Sequence, residues 1–78
     1  MNYDYSLGEP FLEITFPTRK VKTVLFKREN VRQVTEVVEN DKPLVIVVVK
    51  SDLYGKLTEW HFDGTMEEFK KNCKTIYL

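Results

Sequence analysis

His61 is the only histidine of the chain, so any general base or nucleophilic relay built on imidazole must use it. Asp63 follows at the spacing that places two side chains on one face of a strand, and Cys73 lies further along. A Cys-His-Asp relay would need these three groups to converge and the thiol to ionise readily. The local pattern argues otherwise. His61 sits on the polar side of an alternating strand, opposite Trp60, and reads as solvent-facing. Cys73 falls in an apolar stripe near the end of a predicted helix, where the helix dipole raises a thiol pKa.

The remaining chemical groups are equally dispersed. One histidine and one cysteine with scattered carboxylates lack the paired spacing of zinc or calcium sites. Glu67 and Glu68 are adjacent on the predicted helix and diverge, as first-turn acids do. Gly8, Gly55 and Gly64 are too far apart to form a phosphate-cradling loop. We therefore expect a non-enzyme with no catalytic site, metal site, cofactor or small-molecule substrate.

Contact chemistry is better represented. The stretch 17–33 carries Arg19, Lys20, Lys22, Lys27, Arg28 and Arg32 against Glu29 alone. Residues 1–16 carry Asp4, Glu9 and Glu13 with no basic residue, and residues 34–78 carry eight acids against six lysines. The net charge of zero, 12 Lys+Arg against 12 Asp+Glu, thus hides a polarised chain. The balance excludes a generally basic nucleic-acid binder and a polybasic membrane-surface protein. The basic stretch admits three uses: a solvated strand edge protected by lysines, a surface complementary to an acidic partner or arm, or a set of phosphate contacts. Tyr3, Tyr5, Tyr54 and Tyr77 lie in termini and a turn, where tyrosine makes a good contact anchor. The expected interaction surface is Tyr3, Tyr5, Arg19, Lys20, Lys22, Lys27, Arg28, Arg32 and Tyr54.

These groups must be positioned by a small frame. Seventy-eight residues allow one domain. A core of that size supplies only about 3–5 kcal/mol of net stability, and a lone cysteine rules out an internal disulfide, so association is one route to further stability. With 42% hydrophobic and 31% charged residues, the chain has a globular composition. No apolar run approaches the roughly 18 residues that span a bilayer, and the polar, acidic start is unlike a secretory leader. We expect a cytoplasmic protein.

Met1–Pro10 reads as a mobile N-terminal arm and residues 11–78 as a single β-β-β-β-β-α domain. Alternation predicts strands over Phe11–Phe16 and Leu57–Phe62, a β-branched and aromatic run predicts one over Val21–Phe26, another is expected over about Val31–Val38, and Leu44–Val49 is apolar at every position. Residues 39–43 carry hairpin-turn chemistry. Thr65–Glu68 fits a capping box opening a helix to about Thr75, with Met66, Phe69, Cys73 and Ile76 as its apolar stripe. The expected fold class is α+β: an antiparallel meander of about five strands, curled into a partial barrel or paired with another chain, and one C-terminal helix packed on it. The run Leu44–Val49 motivates the curl or the partner, because both of its faces want burial. In element order the layout resembles truncated pleckstrin-homology-like sheets and the very small sheet-plus-helix proteins of bacterial flagellar operons. That resemblance implies a fold, not a function.

The functional expectation is a small protein-interaction module, of the kind found among bacterial or phage accessory proteins, binding another protein or a second copy of itself. The alternative is nucleic-acid binding through the basic stretch 19–32. Membrane association is not expected.

Overall fold

The computed structural model describes residues 8–17, 20, 22–51 and 54–78. The chain forms six strands and one short helix: β1 (Pro10–Phe16), β2 (Lys22–Lys27), a 3-10 turn (Arg28–Asn30), β3 (Val31–Glu39), β4 (Lys42–Lys50), β5 (Leu57–Asp63), α1 (Met66–Lys71) and β6 (Cys73–Tyr77). The strands make two three-stranded antiparallel sheets, ordered β2-β1-β6 and β3-β4-β5. The class is α+β with small sheets, as expected, but three finer expectations need correction.

First, the sheet is neither one meander nor a curled barrel. The 3-10 turn at Arg28–Asn30 carries the chain from β2 in one sheet to β3 in the other. The two sheets then pack face to face over a shared core. Ile14 and Phe16 of β1 meet Val45, Val47 and Val49 of β4, with Phe62 and Phe69, and all seven are buried. The two-sided apolar demand of β4 is met without curling. Its odd positions 45, 47 and 49 face the second sheet, and Ile46 and Val48 lie between their cross-strand neighbours on β3 and β5. Both of those outer-face residues are half-buried.

Second, the helix is short. Thr65 caps it as the capping box requires: its hydroxyl oxygen accepts from the Glu68 amide at 3.1 Å, and the Glu68 carboxylate accepts from the Thr65 amide at 2.8 Å. The helix ends at Lys71, however, with Asn72 closing it through a bond from its side-chain amide to the Glu68 carbonyl at 2.9 Å.

Third, the helix is not terminal, because Cys73–Tyr77 is a sixth strand paired with β1. Cys73 and Ile76 therefore do not share a helical stripe. Cys73 pairs with Ile14 on the core side, whereas Ile76 pairs with Phe11 on the outer side. A separation of three residues fits one helix face or opposite faces of a strand equally well. Pairing with β1 makes it the strand.

The aromatic side chains tie the layers together. Phe26 of β2 meets Trp60 of β5 edge-on at 5.3 Å between ring centroids, and Phe16 of β1 lies 5.8 Å from Trp60 and 6.2 Å from Phe62. Phe62 meets Phe69 of α1 edge-on at 5.4 Å. This row runs across both sheets into the helix in the tilted and edge-to-face geometries that aromatic rings favour.

Two turns match their residues. Asn40 and Asp41 both adopt positive φ, at 53° and 62°, as a two-residue hairpin turn between β3 and β4 demands. Gly8 has φ of 66°, and a Cβ there would lie 2.0 Å from the Leu78 carbonyl oxygen, so only glycine fits. Of the segment 1–10 expected as an arm, residues 1–7 lie outside the described residues. Glu9 exchanges two backbone hydrogen bonds with Leu78, at 3.0 and 3.1 Å, and Pro10 begins β1.

Candidate functional site

The basic residues divide between the two ends of the sandwich. Lys20 lies in the β1–β2 connection and Lys22 opens β2, both exposed. Lys27 closes β2, Arg28 stands in the 3-10 turn and Arg32 at the start of β3. Six residues of strand put Lys22 and Lys27 about 17 Å apart along the backbone, so Lys20 and Lys22 do not join the other three. Tyr3, Tyr5 and Arg19 lie outside the described residues.

At the Lys27 end the fold adds two lysines that are remote in sequence. Lys50 closes β4 and lines one groove with Lys27, and Lys56 precedes β5. Tyr54, 77% exposed, lies in the connecting turn, which is closed by the Ser51 amide donating to the Lys56 carbonyl at 2.7 Å. Lys27 is also within 3.8 Å of the Glu9 carboxylate, an exposed pair worth little to stability. Lys27, Arg28, Arg32, Lys50 and Lys56, with Glu9 and Glu29 among them, thus stand at one end of the sandwich, and Lys20 and Lys22 at the other.

His61, Asp63 and Cys73 do not converge. His61 faces outward on β5, level with Ile46, with its Nε2 3.3 Å from the Glu59 carboxylate. Cys73 faces the core from the other sheet, and burial pushes its thiol pKa up. The cause is desolvation rather than the helix end invoked from sequence, since Cys73 is on a strand. Among the described residues no group of three or more His, Cys, Asp or Glu side chains is arranged to hold a metal ion. Among the same residues no helix is long and apolar enough to cross a membrane.

Sequence reasoning missed the surface along β5. β5 is an outer strand of its sheet, and among the described residues no strand pairs with its far side. Half-buried Trp60 and its neighbour Thr58 line two adjoining grooves. One, of about 420 Å³, continues over Glu59 and His61. The other, of about 370 Å³, runs between the sheets past Leu25, Phe26 and Val49. Trp60 was legible as a core-facing residue from its alternation. That its strand lies at an edge depends on long-range pairing.

The outer strands are not alike. β3 carries an irregular register between Val31 and Gln33, with Arg32 at the break. β2 has Lys22 and Lys27 at its ends, and β6 is five residues long with Lys74 in it. Bulges, lysines and shortness are the usual protections of an edge against pairing with another strand. β5, LTEWHFD, has seven residues in regular register, with no proline, lysine or bulge. Among the described outer strands it is the one that carries none of these protections.

No family model, curated protein or solved structure matches the chain.

Proposed function

We propose that the chain is a small, non-enzymatic interaction module that accepts a strand of another protein chain along the edge of β5. The observation that carries this reading is the contrast among the outer strands. Of those described, β5 combines length and regular register with the absence of lysine and bulge, and Trp60 lines two grooves. Strand addition of this kind draws affinity from main-chain hydrogen bonds and specificity from pockets for alternate side chains. The grooves at Thr58 and Trp60 supply such pockets, and Trp60 is of a residue type enriched among the anchors of protein contacts.

Selection of displayed heptapeptides against the folded chain tests the reading. Extended peptides should be recovered and should lose binding to Glu59→Lys, which places a lysine in the exposed edge without touching the core. Recovery only of peptides indifferent to Glu59→Lys would remove β5 from the account. Salt-sensitive retention of nucleic-acid probes instead, abolished by charge reversal of Lys27, Arg28 and Arg32, would favour the alternative of phosphate contacts at the basic end.

A further inference from the structure

We infer that β5 is self-complementary and pairs antiparallel with β5 of a second copy, about a two-fold axis centred on Trp60. The inference rests on the edge-pairing reading and supplies its partner. In a two-fold antiparallel ladder, residues equally far from the centre stand opposite each other, and each contact occurs twice. Centring on Trp60 sets Glu59 opposite the partner's His61, and His61 opposite the partner's Glu59.

The charge pattern selects this register over its neighbours. A centre at Glu59 would set that carboxylate against its own copy. A centre at His61 would set the Glu59 carboxylate against that of the partner's Asp63. Like charges directly opposite are unfavourable across strands, and opposite ones are favourable. Glu59 and His61 are exposed on the outer face, where their side chains can turn from their contact within the strand to one across it.

The same register brings Trp60 against its copy on the inner face, in the row of Thr58, Trp60 and Phe62 that lines the core side. The two grooves that Trp60 fronts would then be closed by the partner strand, and the two β3-β4-β5 sheets would become one sheet of six strands. Covering an otherwise receptive edge is itself a way of blocking indiscriminate pairing.

The register is tested by mixing two variants, after circular dichroism confirms that each is folded. Glu59→Lys sets lysine opposite the partner's histidine, and His61→Glu sets carboxylate opposite carboxylate. Each alone should weaken the dimer, measured by sedimentation equilibrium, by roughly tenfold. Mixed in equal amounts they should recover the wild-type association. In that heterodimer the introduced lysine of one chain faces the introduced glutamate of the other, and the unaltered His61 faces the unaltered Glu59. Wild-type association that neither substitution weakens, or no recovery on mixing, would overturn this register. A wild-type chain that stays monomeric at high concentration would overturn the second copy as partner, while peptides that bind β5 would still uphold edge pairing.

Discussion

Cys73 illustrates how a residue's chemistry follows from its strand rather than its neighbours in sequence. Its thiol faces the core opposite Ile14, and desolvation raises its pKa. The folded chain holds the thiol proton more tightly than the unfolded chain does. The associated stability is therefore complete at neutral pH and is lost as pH rises through the elevated folded value. Alkylation of Cys73 should be slow at neutral pH in the native protein, and its pH profile should lie above that of the denatured chain. A native profile matching or lying below the denatured one would contradict the buried placement. At the same scale, Glu36 shows a contact invisible to local reasoning. Its carboxylate accepts from the Met66 amide at 3.0 Å and fastens the start of α1 to β3, thirty residues away in sequence.

At the scale of elements, the fold depends on joining two three-stranded sheets over one shared core. Phe16 contributes most visibly: it is buried, belongs to the central strand of one sheet, and meets the aromatic rings of Trp60 and Phe62 on β5. Phe16→Ala should cost about 3–5 kcal/mol, comparable with the whole net stability of a domain this small. The variant should lose its cooperative thermal unfolding transition. A cooperative transition shifted by only a few degrees would mean that the sheets are held together elsewhere. Much at this scale was legible beforehand. The alternation of Leu12, Ile14 and Phe16, the turn at Asn40–Asp41 and the cap at Thr65 are local signals, and all three recur in the structure. The sixth strand was not legible, because Cys73 and Ile76 satisfy a helical and a strand pattern alike. The division into two sheets was not legible either, since it depends on which strands meet across the core.

At the scale of the whole molecule, two surfaces stand apart. One is the basic end, where Lys50 and Lys56 from the β4–β5 connection join Lys27, Arg28 and Arg32. Three of these belong to the sequence stretch 19–32 and two come from the β4–β5 connection, while Lys20 and Lys22 lie at the other end. The other surface is the β5 edge, whose composition was readable but whose position was not. Association at the β5 edge, as proposed, would link stability to binding in a domain with little core to spare, because anything that binds only the folded chain stabilises it.

The central claim is that β5 is a docking strand, and amide hydrogen exchange across a concentration series tests it most directly. Protection of the Leu57–Asp63 amides should rise with protein concentration, or on adding a bound strand peptide, while the β6 amides of Cys73–Tyr77 keep theirs unchanged. Protection of β5 that stays flat under both conditions, or a concentration-dependent gain confined to β2, β3 or β6, would contradict the account.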